Sequence, residues 1–166
     1  HPLNGPAWSL FFEYIANILY AVLIRKFTSR WLAVLVFLAA CALIHQCYTQ
    51  GNNIGGWTLD VEQCRVGLTR LMFPFFGGLL LFRLCKPGRG RHGFWWCSLL
   101  LVAALAMPHV GGAENFRLNG LYDAFCIIVI FPAVVFLGAS DIPGDISSRA
   151  SRFLGNISYP LYITHY

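Results

Sequence analysis

The sequence predicts an all-α protein, a polytopic bundle of about six transmembrane helices of which the last is truncated. Of its 166 residues 57% are hydrophobic and only 11% are charged, and the mean hydropathy is +0.61. A soluble domain of this size needs a charged surface to cover its core, and so few charged residues cannot supply one. The apolar residues also come in blocks, most of which approach the roughly 20 residues that cross about 30 Å of hydrocarbon.

Six such blocks follow one another in a single partial membrane domain that covers the whole chain, residues 1–166. We predict spans at about 8–24, 31–48, 66–84, 94–110, 121–139 and 153–166. The last block reaches only about 21 Å at about 1.5 Å per residue, which is less than the hydrocarbon thickness. The start before Trp8 is equally abrupt. We therefore expect the chain to be a piece of a longer protein.

The basic residues indicate how the spans are oriented. Those that follow the first, third and fifth spans are Arg25, Lys26, Arg30, Arg83, Lys86, Arg89, Arg91, Arg149 and Arg152. The intervening connections hold only Arg65 and Arg117. The positive-inside rule assigns the basic connections to the cytoplasm. The net charge of +5 then favours anionic membrane lipid as a partner, and these short clusters between spans do not indicate nucleic-acid binding.

The first span carries a polar stripe inside an apolar run. Ser9, Glu13 and Asn17 are spaced so that they share one helix face, just inward of Trp8. A carboxylate at membrane depth costs several kcal/mol unless it is paired, protonated or hydrated. Glu13 is therefore either a structural partner of Asn17 or Arg70, or a functional group.

The second span is followed by the longest outer connection. Cys47 and Cys64 flank this loop, and an oxidising compartment would permit a disulfide between them, although spacing alone cannot show that they are close enough. Residues 57–64 could form a short interfacial helix. The cysteines have no zinc-type spacing.

The third and fifth spans contain features that disturb a regular helix. Pro74 and the pair Gly77-Gly78 indicate a kink or a close helix contact in the third span, and Pro132 lies in the middle of the fifth. Arg70 lies about one turn below the outer boundary. It either reaches the interface as a snorkelling side chain or faces a cavity. The fourth span is featureless.

The sixth span places Ser158, Tyr162 and His165 on one helix face. From the residues alone, His165 is either a hydrogen-bonded structural histidine or a base. Ser9 is not predicted to be a hydrolase nucleophile, because it lacks the Gly-x-Ser-x-Gly elbow.

Three stretches resemble successive signatures of the acyltransferase family 3 membrane proteins. They are Asn4-Gly-Pro-Ala-Trp-Ser-Leu-Phe-Phe-Glu13, Arg70 with Phe75-Phe76-Gly77-Gly78, and Leu154-Gly-Asn-Ile-Ser-Tyr-Pro-Leu-Tyr-Ile-Thr-His165. The resemblance covers essentially this whole chain but only the later part of a family member. Members carry further N-terminal spans with an Arg-rich motif and the histidine usually proposed as the base, so we expect this piece alone to be inactive.

The resemblance implies transfer of an acyl group, commonly acetyl from acetyl-CoA, to a hydroxyl of a cell-surface or exported carbohydrate. O-acyl transfer needs a base for the hydroxyl proton and donors for the oxyanion. Glu13 and His165 are the implied catalytic residues. The implied substrate-binding or structural residues are Asn4, Trp8, Ser9, Arg70, Ser158, Tyr159 and Tyr162.

The implied partners are membrane lipid, the acyl-CoA donor and the carbohydrate acceptor. No bound cofactor and no metal is expected, and the implied location is the cytoplasmic membrane of a bacterium. Two other classes stay open at this point. A transporter or flippase of sugars or lipid-linked glycans would line a pathway with the same polar groups, and a non-catalytic paralogue would only sense or scaffold.

Overall fold

The computed structural model describes residues 7–23, 28–56, 60–86, 92–108, 113–140 and 145–164, and these residues form helices and no strand. The prediction of an all-α protein is confirmed. The six helices are α1 (Ala7–Leu23), α2 (Ser29–Gln50), α3 (Val61–Leu84), α4 (Gly93–Ala106), α5 (Phe116–Ala139) and α6 (Asp145–Thr164). Within the described ranges α2, α3 and α5 are long and apolar enough to cross a membrane, whereas α1 and α4 are shorter apolar helices.

Several helices extend beyond the apolar blocks that predicted them. The third helix begins at Val61, so the last part of the possible interfacial helix continues directly into α3. The fifth helix begins at Phe116 and the sixth at Asp145. Helical hydrogen bonding does not stop where the apolar residues stop, because polar side chains can project into water at the helix ends. The membrane boundaries of the six spans stay predictions.

The second helix is closed at both ends by local hydrogen bonds. The Thr28 hydroxyl accepts from the Trp31 amide at 3.4 Å, which satisfies one of the free amides of the first turn. At the other end Gly51 has φ of 71° and its amide donates to the Cys47 carbonyl at 2.8 Å. A residue in this left-handed conformation is usually glycine, because a Cβ would be strained there.

The fifth helix accommodates its internal proline by a change of helix type. Residues Cys126–Ile130 form a π-helical segment, in which the Phe131 amide donates to the Cys126 carbonyl five residues earlier. Pro132 has no amide hydrogen and its ring would clash with an ordinary preceding turn. A wider turn just before it relieves both problems. The helix therefore continues across its full length despite the proline.

The first and third helices run in the same direction. The Phe12 ring packs directly on Gly67, and a Cβ at that glycine would overlap the ring. Farther along both helices the Tyr20 and Phe75 rings meet edge to face, with centroids 6.5 Å apart. Parallel α1 and α3 require α2 to run the opposite way between them, which is the alternation expected of consecutive spans.

The second and fifth helices are antiparallel and very close together. A Cβ at Gly120 would overlap the Cys47 carbonyl oxygen, and one at Gly51 would lie 2.5 Å from the Phe116 ring. The start of α5 therefore lies against the end of α2. Only a glycine lets the two backbones approach this closely.

The fourth helix packs against α5 and is antiparallel to it. The Cys97 thiol lies 3.2 Å from the Val134 carbonyl oxygen, and the Tyr122 hydroxyl donates to the Ala104 carbonyl at 2.7 Å. The end of α4 thus meets the start of α5. The helix directions α1 to α5 alternate along the chain.

The core is formed where α2, α3 and α5 meet. Its buried residues are Ala39, Leu43, Cys47, Phe73 and Ala124. By contrast, α6 presents most of its described side chains to the surroundings, and Phe153, Leu154 and Leu161 are between 53% and 64% exposed. These apolar side chains suit contact with hydrocarbon or with further helices rather than with water.

We predict that Gly120→Ala destabilises the helix bundle. The added methyl group must displace the Cys47 carbonyl, and overpacking of this kind costs about 1–3 kcal/mol. Gly78→Ala is the matched control, because nothing lies within 4 Å of a Cβ at Gly78, and it should be neutral or stabilising. Thermal melts of the intact protein in detergent measure both changes. Equal melting temperatures for the two variants would contradict the packing described here.

Candidate functional site

Polar side chains of four helices gather at one end of the bundle, which we call the polar end. It contains the starts of α1, α3 and α5 and the end of α2, as the helix directions require. The opposite end, which we call the basic end, contains the start of α2 and the end of α3. The residues of the polar end that matter below are Glu13, Gln46, Asn53, Arg70 and Asp123.

Arg70 connects α3 to the loop that follows α2. Its side chain is half-buried, and its Nη1 donates to the Gly55 carbonyl oxygen. The long side chain therefore reaches toward the polar end and binds a backbone carbonyl there, as a snorkelling arginine does. Hydrogen bonds from a charged donor are stronger than neutral ones, so this contact fixes the loop to the third helix.

A second hydrogen bond holds the same loop. The Gly56 amide donates to Gln63 Oε1 at 2.7 Å, and a Cβ at Gly56 would lie 2.8 Å from the Cα of Gly67. Gly55 and Gly56 have φ of 132° and 90°, a region that favours glycine. The glycine pair thus allows the loop backbone to lie directly on α3.

The cysteines that flank this loop do not form a disulfide. Neither Cys47 nor Cys64 takes part in a disulfide. Cys47 is buried in the core with Leu43, Phe73 and Ala124. Cys64 instead lies on the face of α3 that lines a groove beside α2. The two side chains therefore serve different packing surfaces.

Glu13 is exposed on α1, and its carboxylate has no ion-pair partner among the described residues. The pairing with Arg70 that the sequence left open is not formed, because Arg70 binds Gly55. Asn17 does contact Glu13, but its Nδ2 donates to the main-chain carbonyl at 2.9 Å. The Glu13 carboxylate is therefore available for another group.

The remaining predicted site residues are only partly placed. Asn4 and His165 lie outside the described residues, and so do the side chains of Trp8, Ser9, Tyr159 and Tyr162. Ser158 is exposed on α6, and its hydroxyl donates to the Gly155 carbonyl at 2.9 Å. The meeting of Glu13 with the polar face of α6 stays a prediction.

Two amide side chains of the polar end, the buried Gln46 and the half-buried Asn53, were missed in the sequence. Gln46 is 2% exposed, and its two amide atoms have no hydrogen-bond partner in the part of the chain that the structure describes. The buried Asn53 Oδ1 is likewise unpaired there. Gln46 follows Ala39 and Leu43 at helical spacing, so the sequence did place it on the core face of α2. That spacing was the available signal.

An apolar groove of about 590 Å³ lies between α2 and α3. Its lining residues are Leu35, Leu38, Ala39, Ala42, Val61, Cys64, Arg65, Leu68, Thr69 and Met72. These side chains suit hydrocarbon better than a carbohydrate or a phosphate. Within the described ranges no group of three or more His, Cys, Asp or Glu side chains could hold a metal ion.

The fold and the polar end define a multi-pass helical membrane protein with ionisable and amide groups concentrated at one end. A family model described as an acyltransferase domain, that of acyltransferase family 3, matches residues 1–166. The chain belongs to this family and is a membrane acyltransferase in the general sense, which confirms the resemblance seen in the motifs. The comparisons find no matching curated protein and no matching solved structure.

We predict that Arg70→Gln loosens the loop at residues 51–56. The substitution removes the charged donor to the Gly55 carbonyl, and such a bond contributes about 1.5–3 kcal/mol. Hydrogen–deuterium exchange of the loop amides should accelerate about tenfold or more. Arg65→Gln is the control, because Arg65 is exposed on the same helix. Unchanged exchange in Arg70→Gln would contradict the role given to this side chain.

Proposed function

We propose that this protein transfers an acetyl group from acetyl-CoA to a hydroxyl of a cell-surface or exported carbohydrate. The single observation that carries the proposal is the arrangement of the bundle, with its ionisable and amide groups at one end and basic connections at the other. Membership of acyltransferase family 3 supplies the reaction type. That the donor is acetyl-CoA and that the acceptor is a carbohydrate are proposed in addition to this reaction type.

The charge distribution supports an outward-facing polar end in the cytoplasmic membrane of a bacterium. Arg30 lies at the start of α2, and Arg83 and Lys86 lie at the end of α3. All three residues are therefore at the basic end of the bundle. Basic connections are retained on the cytoplasmic side. An acceptor that is exported or displayed on the cell surface would then meet the polar end. The anionic coenzyme A portion of the donor would be attracted to the basic end.

The reaction needs one proton acceptor and one set of donors. The acceptor hydroxyl oxygen forms an ester bond to the acyl carbon, the thioester carbon–sulfur bond breaks, and coenzyme A leaves as its thiol. The hydroxyl proton passes to a base, for which His165 is the candidate, with Glu13 orienting the imidazole or binding sugar hydroxyls. By helical rise from the predicted membrane boundaries we expect Glu13 about 8 Å inward from Trp8 and His165 about 18 Å outward from Phe153. We therefore expect both residues in the outer half of the bilayer.

The hydrogen-bonding residues of the motifs have supporting roles in this proposal. Ser9 and Tyr162 would bind the acceptor or the oxyanion that forms during transfer. Ser158 and Tyr159 would orient the face of α6 that carries them, and Asn4 and Trp8 would position the entry to α1. Arg70 supports the site through the Gly55 carbonyl. The Glu13 carboxylate has no ion pair among the described residues. This suits a group that binds a substrate or an imidazolium.

We predict that Glu13→Gln and His165→Ala each reduce acyl transfer by about 100-fold to 10,000-fold in the intact protein, the usual contribution of a general acid–base group. Membrane insertion should stay unchanged in both variants. The melting temperature of Glu13→Gln should also stay unchanged, because Glu13 is exposed and makes no ion pair among the described residues. Membranes incubated with labelled acetyl-CoA, followed by analysis of label on the exported glycans, give the measurement.

Glu114→Gln is the matched control, since Glu114 is an exposed carboxylate beside the start of α5. It should transfer label at the wild-type rate. Wild-type transfer by both Glu13→Gln and His165→Ala would refute the assignment of these residues. If glycan crossed the membrane without acquiring label, the protein would be a transporter rather than an acyltransferase.

A further inference from the structure

The groove between α2 and α3 is open to the surroundings of the bundle. Leu38 of α2 and Leu68 of α3 both line it, and they are 59% and 37% exposed. The groove has a volume of about 590 Å³, and the two helices that form it are long and apolar enough to cross a membrane. In a bilayer the surroundings of such helices are lipid, so the groove is expected to take up a hydrocarbon group.

Below its mouth the groove offers little to a polar ligand. Among the described residues that line it, Arg65 alone is charged. The Thr69 hydroxyl donates to the Arg65 main-chain carbonyl at 2.9 Å, so its hydrogen bond is made within α3. The half-buried Arg70 and Asp123 do not line the groove. A sugar or a free anion would therefore give up its bonds to water without replacing them.

The groove extends about half-way across a membrane. Along α3 its lining runs from Val61 to Met72, a rise of about 16 Å at about 1.5 Å per residue. One turn farther along α3 the Phe75 ring packs against Tyr20 of α1, with the centroids 6.5 Å apart. Half of the roughly 30 Å hydrocarbon thickness is about 15 Å, so the groove suits one acyl chain of one leaflet. A transmembrane helix would need a contact face about twice as long.

The mouth of the groove carries charges of both signs in a fixed order. Arg65, Glu62 and Asp60 are all exposed at the start of α3. Helical side chains lean toward the helix N-terminus, so Arg65 and Glu62 extend away from the apolar lining toward the polar end. By helical rise Glu62 lies about 4.5 Å farther out than Arg65, and Asp60 precedes the helix. A guanidinium is thus the first charge above the apolar lining, and two carboxylates follow it.

This order specifies the headgroup of the lipid. A guanidinium binds phosphate oxygens in a bidentate geometry, and a carboxylate accepts hydrogen bonds from an ammonium group. The side chains of Arg65 and Glu62 have no partner in the described part of the chain, and the Asp60 carboxylate does not cap α3. In phosphatidylethanolamine the phosphate follows the acyl chains and the ammonium lies beyond it. An anionic headgroup without the ammonium would place its charge beside the two carboxylates.

We propose that the groove binds one acyl chain of a phosphatidylethanolamine molecule, with the phosphate on Arg65 and the ammonium on Glu62 and Asp60. The site goes beyond acyl transfer and does not depend on it, because the groove and its mouth contain no residue that we assign to the reaction. The bound chain fills the space between α2 and α3 and stabilises their packing.

The first experiment measures which lipid the intact protein retains. Protein in mild detergent is mixed with phosphatidylethanolamine, phosphatidylglycerol or diacylglycerol of the same acyl chains, and bound lipid is counted by native mass spectrometry. Phosphatidylethanolamine should be retained most strongly. Arg65→Gln should weaken its binding about tenfold, and Glu62→Gln should remove its advantage over phosphatidylglycerol. Arg30→Gln, at an exposed arginine of the basic end, should leave the order of the lipids unchanged.

A second experiment fills the groove itself. Leu68→Trp places a large side chain among the lining residues, whereas Leu99→Trp makes the same change at an exposed position of α4 outside the groove. Phosphatidylethanolamine should raise the melting temperature of the wild type and of Leu99→Trp, since a ligand that binds the folded state stabilises it. It should have little effect on Leu68→Trp.

A photo-reactive benzophenone side chain in place of Leu68 identifies the occupant in native membranes. Its adducts should be enriched in phosphatidylethanolamine relative to those formed by the same group in place of Leu99. Adducts to a second copy of the chain or to another helix would overturn the proposal, and so would equal retention of the three lipids by the wild type. If Leu68→Trp did not fold, the exposed Arg65→Gln and Glu62→Gln would decide the question by the order of the lipids.

Discussion

The hydrogen bond from Arg70 to the Gly55 carbonyl is the interaction on which the polar end depends. A guanidinium this deep in an apolar helix needs an acceptor, and it finds one in the backbone of the loop rather than in the Glu13 carboxylate. The loop held to α3 in this way begins at Gly51, where the end of α2 packs closely against the start of α5. One charged side chain thereby connects α3 to the loop that follows α2, and the Glu13 carboxylate has no ion pair among the described residues.

Backbone proximity is the second constraint, and glycine provides it. Gly120 lies on the Cys47 carbonyl, Gly67 lies under Phe12, and Gly56 lies on Gly67. Between helices in a membrane, dispersion contacts and close backbone approach replace much of the hydrophobic drive that operates in water. The π-helical segment before Pro132 has the complementary effect, because it keeps α5 continuous while it packs against α2, α3 and α4.

The candidate site could be predicted only where its residues follow from position along a helix. The depth of Glu13 and the reach of Arg70 toward the outer boundary came from helical rise and from the length of the arginine side chain. Whether Arg70 binds the Glu13 carboxylate or a backbone carbonyl could not be predicted, since the arginine side chain is long enough to reach either acceptor. The absence of a disulfide between Cys47 and Cys64 was equally undetermined, because it depends on which faces of α2 and α3 the two thiols occupy.

The sequence by itself determined the membrane class, the all-α fold, the alternating order of the helices and the family motifs. These properties depend on composition, on the length of apolar blocks and on residue types at fixed spacing, all of which are local along the chain. Only the tertiary structure decided that α1 runs beside α3 and that the loop at Gly55 is bound to α3 by Arg70. It also decided that the Gln46 amide and the Asn53 Oδ1 are buried with no hydrogen-bond partner among the described residues. Those facts depend on contacts between residues far apart in the chain, and helical periodicity assigns a residue to a face but not to a neighbour.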